Sequence, residues 1–269
     1  MDLEPRTDTL IMPAGTERVV VLGDPHGDLA GLDAVLARED RPGTVIVSVG
    51  DNIGYADGPT SSEFCRRLAE RKIQSVYGNH EAWMDEGGRL FIVGDRGAPR
   101  QVSAEAVAWC RSLPFRLRAE WGGLKISVVH SLTCAVQPET WDLPIKSETI
   151  QATIVTGSTE DIAWDYVSAA NADLLANDEQ ADVVFVGHSH GPAIYTIPPE
   201  ASTRVSRLDL EKGEPLTIFV KPGLKYVVDA GSLARPGFHP EPGRFDLGAY
   251  AVLNLGRRVI ALHAVGKAV

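Results

Sequence analysis

Five short stretches share one grammar, and it restricts the fold more than any other feature of the chain. They are RVVVLGD (18–24), TVIVSVGD (44–51), IQSVYGNH (73–80), ISVVH (126–130) and VVFVGH (183–188). Each is rich in β-branched residues, which suit strands, and each ends in a side chain able to bind a metal, usually straight after a glycine. The first, second and last are continuous apolar runs, the habit of strands buried on both faces. A glycine at the end of such a strand permits the sharp turn out of it.

Between these runs the sequence predicts amphipathic helices over DLAGLDAVLARED (28–40), TSSEFCRRLAERK (60–72) and SAEAVAWCRSLP (103–114). Thr60 or Ser61 is the expected cap of the second and Ser103 that of the third. Strand and helix in alternation imply an α/β layered fold with helices outside the sheet, and ligands in such folds collect at the carboxyl ends of strands. Residues 131–180 break the rhythm. Their first half is loop-like and their second half helical from about STEDIAWDYV, so the segment is either a cap-like insertion over the site or a solvated loop. From residue 216 the runs LTIFV, KYVVDAG, AYAVLNL and RVIALHAV are expected as antiparallel strands of a second sheet. With no internal repeat and no low-complexity linker, residues 1–269 read as a single domain.

A chain of 269 residues that is 44% hydrophobic can bury a sizeable core without disulfides. Its three cysteines, Cys65, Cys110 and Cys134, form no C-x-x-C pair and are expected as small buried apolar residues. No apolar stretch is long enough to span a bilayer, and the acidic opening lacks the apolar core of a signal peptide, so a cytoplasmic location is expected. The net charge of −10 disfavours nonspecific binding of nucleic acid, which depends on neutralising phosphates. A small phosphate ligand remains compatible, because a bound cation reverses the sign locally.

The strand ends together supply Asp24, His26, Asp51, Asn79, His80, His130, His188 and His190. Five of the chain's seven histidines are in that set, whereas His239 and His263 are strays expected to do nothing special. His188 and His190 are separated only by Ser189; in an extended chain their rings share a face about 6.5–7 Å apart. Ser189 then faces away and is the position most open to substitution. An H-x-H pair alone reads as surface histidines, but four further strand ends aimed the same way turn it into part of a site. Imidazole with carboxylate and no thiolate suits manganese, iron, zinc or related ions. Eight groups exceed what one ion uses; two ions about 3.5–4 Å apart would use seven and leave one histidine for acid–base work.

The ordered blocks Asp24-x-His26, Gly50-Asp51, Gly78-Asn79-His80-Glu81, His130 and Gly187-His188-x-His190 resemble the calcineurin-like metallophosphoesterase superfamily, from residue 18 to near residue 264. The resemblance implies one metal held by Asp24, His26, Asp51 and His190, and a second held by Asp51, Asn79, His130 and His188, with Asp51 as the bridge. It implies that His80 stands over the phosphate, stabilising charge or protonating the leaving oxygen. Metal coordination lowers the pKa of water to about 7, so that a metal-bound hydroxide can attack a phosphate ester at neutral pH. The expected fold is a four-layer αββα sandwich, two mixed sheets flanked by helices with the metals at the carboxyl ends of the strands. The expected cofactors are two divalent or transition metal ions, manganese first, with iron, zinc, nickel or cobalt as substitutes.

GDNIGYADGP (50–59), SAEAVAWCRSLPFRLR (103–118) and DAGSLARPGFHPEPGRFDLGAYAVLNL (229–255) are similar to the compact prokaryotic phosphodiesterase branch. The arginine that the protein phosphatase branch carries after the second block is missing, since that stretch reads Asp51-Asn52-Ile53-Gly54-Tyr55, although DPHGD with GNHE leans toward the phosphatases. Ser131 stands where the compact branch usually has glycine. Arg89, Arg96 and Arg100 could reach a substrate phosphate, and Tyr55 and Arg235 could back the site, but the expectation for all five is a solvated surface role. A small phosphodiester is thus the expected substrate, a phosphomonoester, a phosphoprotein or a nucleotide the alternative, and a binding scaffold of the same fold the non-enzymatic one. No membrane partner is expected.

Overall fold

Val19, Val20, Val21 and Leu22 expose none of their surface, because their strand β2 (Arg18–Leu22) lies inside one sheet with apolar neighbours on both faces. A computed structural model of the chain describes residues 6–90, 100–131, 167–210, 212–234 and 248–266. In the first sheet β2 pairs in parallel with β3 (Thr44–Ser48) and antiparallel with β14 (Gly248–Asn254). The sheet's full order is β12 (Leu216–Phe219), β15 (Val259–Val265), β14, β2, β3 and β4 (Gln74–Ser75). A second sheet runs β1 (Thr7–Thr9), β7 (Arg116–Trp121), β8 (Leu124–Val129), β9 (Val183–Val186), β13 (Lys225–Asp229), β10 (Ala193–Ile197) and β11 (Arg204–Arg207). A short hairpin of β5 (Arg89–Leu90) and β6 (Arg100–Gln101) stands apart.

The two sheets pack face to face: Val19, Val21 and Val47 meet Val128, Val183, Phe185 and Val228 in one continuous cluster. The outer face of the first sheet, through Val20 and Leu22, is covered by Leu32, Val35 and Leu36 of α1 (Leu29–Glu39) and by Phe64 and Leu68 of α2 (Gly58–Glu70). On the far side, Val129, Val184 and Val186 pack against Leu175 and Ala176 of α5 (Ala172–Asp178). The order of layers is therefore helix, sheet, sheet, helix, as expected. Two further helices, α3 (Asn79–Ala82) and α4 (Ala104–Arg111), complete the described set.

Three local expectations change. The cap of α2 is Asp57, whose carboxylate accepts from Thr60 N–H at 2.7 Å, and Thr60 and Ser61 lie inside the helix. Pro59 does not delay the helix, since proline is tolerated in the first turn, where N–H groups lack partners anyway. Only Gln74 and Ser75 of the third predicted strand join a ladder, because the chain then turns into α3. The tail does not form a sheet of its own: β12, β14 and β15 extend the sheet of β2, while β13 inserts parallel to β9 in the other. β13, β14 and β15 are apolar and largely buried whereas β12 stays partly exposed, and nothing local to any of them encodes which neighbour it pairs with. Ser103 does cap α4, accepting from Ala106 N–H at 3.2 Å, and Cys65 and Cys110 are buried. The predicted insertion lies mostly outside the described residues, as do Cys134, Arg96, Arg235 and His239. Among the described residues no helix is long and apolar enough to cross a membrane.

The first sheet is tied to α1 by a buried ionic contact. Glu39, almost fully buried, accepts from the Arg18 guanidinium and from the Tyr250 hydroxyl at 2.9 Å. Glu39→Ala strands a largely buried guanidinium and a phenol, and is expected to lower stability by about 3 kcal/mol. Urea unfolding measures it; a change within a few tenths of a kcal/mol would show that the contact carries no such weight.

Candidate metal centre

The parallel strands end side by side, and the turns that leave them are stitched to one another. His26 N–H donates to Asp51 O at 2.8 Å, Gly187 N–H to His130 O at 3.0 Å, and His188 N–H to the Asp24 carboxylate at 2.7 Å. The turns are backbone-strained. Of eight non-glycine residues with positive φ among those described, five are Asp24, His26, Asp51, His188 and His190. Such conformations persist only where the surroundings over-determine them, and they concentrate at functional sites. His188 (φ 69°) and His190 (φ 57°) follow the last strand residue, Val186, so a left-handed turn and not the pleat of an extended chain presents them together. Two glycines make room. A Cβ on Gly187 would stand 2.4 Å from Asp24 Oδ1, and one on Gly54 2.3 Å from His26 Nδ1 and 2.9 Å from His80 Nδ1.

All eight predicted residues come together. Ligand-type atoms of three trios lie within 4.8 Å of one another: His26, Asp51 and His80; Asp51, His130 and His188; Asp24, Asp51 and His190. Asp51 belongs to every trio. One of its oxygens is 3.5 Å from His130 Nε2 and the other 3.8 Å from His80 Nε2. Asn79 Oδ1 stands 2.7 Å from His130 Nε2 and 2.9 Å from His188 Nδ1, while His26 Nε2 and His190 Nε2 are 2.9 Å apart.

Three observations fit this set to cations. The carboxylate atom Asp24 Oδ1 is buried with no hydrogen-bond partner among the described residues. His130 Nδ1 is 2.8 Å from Val49 O, an acceptor, so a neutral His130 turns its Nε2 lone pair toward the Asn79 amide oxygen, another acceptor. The third is electrostatic. Burial first, then the charges of Asp51, Asp229 and Glu81, hold the Asp24 carboxyl well above the usual range; burial and then Glu81 do the same to Asp51. Burial, followed by His80 and His190, keeps His26 well below the usual imidazole value, and burial with the neighbouring His190, His130 and His188 and the charge of Arg100 lowers His80. Neutral imidazoles are the form that binds metal, and a cation among the carboxylates would reverse their preference for protons.

Several residues that hold the site were not singled out from the sequence. Glu81, buried in α3, accepts from the backbone N–H groups of Gly78 and Asp51 at 2.9 Å and of Asn52 at 2.8 Å, fixing the turn that presents Asp51. Asn52 links this clamp to Ser75 and Ser48. The signal was a charged residue directly after a strand-end histidine, but its burial depends on the tertiary fold. Ser189 turns away from the other ligands and is nevertheless engaged: its hydroxyl donates to the buried Asp229 carboxylate and accepts from Gly191 N–H at 3.1 Å. Burial pushes the Asp229 carboxyl up to about 7, against opposing hydrogen bonds from Ser189 and Gly231. Position 189 is thus constrained and not free. Tyr55 does reach the site, with its ring 4.3 Å from that of His26, and Trp83 stands 4.7 Å from His80. Arg89 pairs with Asp85 at 2.6 Å, and His263 stacks on Tyr250 away from the centre, burial drawing its pKa down to about 4.

The profile of the calcineurin-like phosphoesterase family matches residues 17–192, a span that contains every one of the eight. The chain belongs to that family. It is therefore a metal-dependent phosphohydrolase by class. Its fold is similar to that of a metallophosphoesterase from Sphaerobacter thermophilus, with 22% identity, TM-score 0.61, and coverage of 93% of this chain and 88% of that one. A hypothetical protein from Pyrococcus horikoshii OT3 aligns with 14% identity and TM-score 0.50 over 93% and 88% of the two chains. A protein serine/threonine phosphatase from Saccharomyces cerevisiae does so with 12% identity and TM-score 0.50 over 95% and 82%. No curated protein matches the chain.

Two outcomes are expected. Without a cation, Asp24 and Asp51 take up protons more readily folded than unfolded, so the cation-free protein loses stability as pH rises above the ordinary carboxylate range. A bound cation needs those carboxylates ionised, so the rise in Tm on adding manganese to chelator-treated protein should be larger at about pH 8 than at about pH 5. A rise independent of pH would contradict this. Ser189→Ala removes a donor from buried Asp229 and should cost about 1–3 kcal/mol in urea unfolding; unchanged stability would return position 189 to the tolerant class.

Proposed function

We propose that the chain hydrolyses phosphodiesters with two divalent cations, manganese by preference. The presence of Asp51 in all three ligand trios carries this reading, because one carboxylate with an oxygen toward each side is what a shared bridge requires. Asp24, His26 and His190 complete the set for one ion; Asn79, His130 and His188 complete that for the other. When bound, the pair supplies an acidified water near neutral pH and neutralises the charge of the ester. Asn79 contributes a neutral oxygen, which keeps the centre from becoming too negative to admit phosphate. Glu81 holds Asp51 through the backbone, and His130 is oriented by the Val49 carbonyl.

His80 is kept as the acid–base group. It is buried and neutral, and it stands beside Asp51 on the turn after Gly78. A neutral imidazole there can offer its N–H to the charge that develops on the leaving oxygen, and delivers a proton to it only after taking one up from solvent, which burial opposes. A diester is favoured over a monoester because the turn after Asp51 offers Ile53, Gly54 and Tyr55 in place of an arginine that could grip a further phosphate charge.

Asn79→Ala or His188→Ala should lower manganese-dependent hydrolysis of a bis-aryl phosphate by more than the roughly hundredfold that loss of an outer partner of a metal site costs. His80→Ala should lower kcat by about 10²–10⁴-fold while the protein still binds manganese. Mono- and bis-aryl phosphates run in parallel decide between the two ester classes. Full activity in Asn79→Ala or His188→Ala would overturn the assignment, and wild-type protein that binds no metal and turns over no ester would favour the scaffold.

A further inference from the structure

The buried imidazoles of His26 and His80 are backed by two half-buried aromatic rings. Tyr55 lies 4.3 Å from the His26 ring, 5.3 Å from that of His80 and 6.3 Å from that of His190. Trp83 lies against His80 at 4.7 Å, with an interplanar angle of 41°. Both are carried by the turns that carry the ligands. Tyr55 is four residues beyond Asp51, and Trp83 closes α3, its N–H donating to Asn79 O at 3.0 Å. Trp83 is also supported from below by the cluster containing Ile53, Met84 and Leu90. Each ring is therefore fixed relative to the centre, and each keeps part of its surface open while the imidazoles beside it are buried.

In the reading above His80 meets the leaving oxygen, so the leaving group lies on the His80 side of the phosphorus. On that side a substrate meets aromatic surface from Tyr55 and Trp83. We propose that Tyr55 and Trp83 form the leaving-group subsite, and that it selects phosphate esters whose leaving group carries a planar aromatic face, such as a nucleoside. This rests on the reading that places His80 against the leaving oxygen. Aromatic platforms of this kind accept any base, since every base has a π-face, so selection falls on planarity and not on base identity. Tyr55 and Trp83 are specificity-determining residues in this scheme, and the reacting atoms remain with the histidines and carboxylates.

Matched leaving groups test it. Adenosine 5′-monophosphate and glycerol 3-phosphate both release a primary alcohol, and only the first leaving group carries a base; a dinucleoside monophosphate and glycerophosphoethanolamine are the corresponding diesters with and without bases. With manganese, wild-type protein should favour the nucleoside member of at least one pair in kcat/KM by about ten- to a hundredfold, the range that stacking on one aromatic side chain supports. Trp83→Ala and Tyr55→Ala should each bring that ratio down by about tenfold, and Trp83→Phe should keep most of it. Equal losses on both members of a pair would mean that the rings only support His26 and His80, and would overturn the subsite while leaving the phosphoesterase reading intact. An equal rate on both members in the wild type would do the same. Turnover of no ester at all would overturn both.

Discussion

Asp24, Asp51, Glu81 and Asp229 are buried together, and among the described residues no lysine or arginine forms an ion pair with any of them. Burying even one carboxylate without a partner is so costly that the group normally neutralises instead. Protons provide one way out, which is why burial pushes all four carboxyls upward. Cations provide the other, and two divalent ions carry as much charge as four carboxylates. Glu81 spends its hydrogen-bonding capacity on the backbone of the turns beside Asp51 and Asn79, and Asp229 on Gly231 N–H and the Ser189 hydroxyl, which leaves Asp24 and Asp51 with oxygen atoms to offer.

That division of labour explains why the centre tolerates so much local strain. Five of its residues hold positive φ, each at a cost of about 1–3 kcal/mol. The turns are held from outside by Glu81 on the Asp51 side and by Ser189 with Asp229 on the His188 side. Gly54 and Gly187 allow the imidazole and carboxylate atoms to approach to distances that any side chain there would block. The strain is thus localised where a rigid frame of hydrogen bonds over-determines the backbone.

The eight residues that meet at the centre were legible because of a general rule: apolar runs announce strands, and an α/β fold presents the residues just past their carboxyl ends at a common edge. The four layers were legible from the same alternation. The features that escaped depend on distant parts of the chain. Ser189 reads as tolerant until Asp229, forty residues later, is brought beneath it by the parallel pairing of β13 with β9. The tail strands carry no mark of which sheet they enter. Trp83 carries no local mark of a role, and it is α3 that sets its ring on that of His80. Asp57, and not Thr60 or Ser61, caps α2 because Gly58-Pro59 forms the first turn of that helix.

The ligand set is also divided between the sheets. Asp24, His26, Asp51 and Asn79 come after strands of the sheet that contains β2, whereas His130, His188 and His190 come after β8 and β9 of the other. Every close pair that mixes the groups, Asn79 with His130 at 2.7 Å or His26 with His190 at 2.9 Å, spans the gap between them. The distance across that gap is set by the valines and Phe185 of the inter-sheet core, a close-packed layer that transmits small changes in volume. Ligand geometry is therefore a direct product of sheet-on-sheet packing. A cation bound there joins both sheets, so that metal affinity and the integrity of the central core are coupled through one set of atoms.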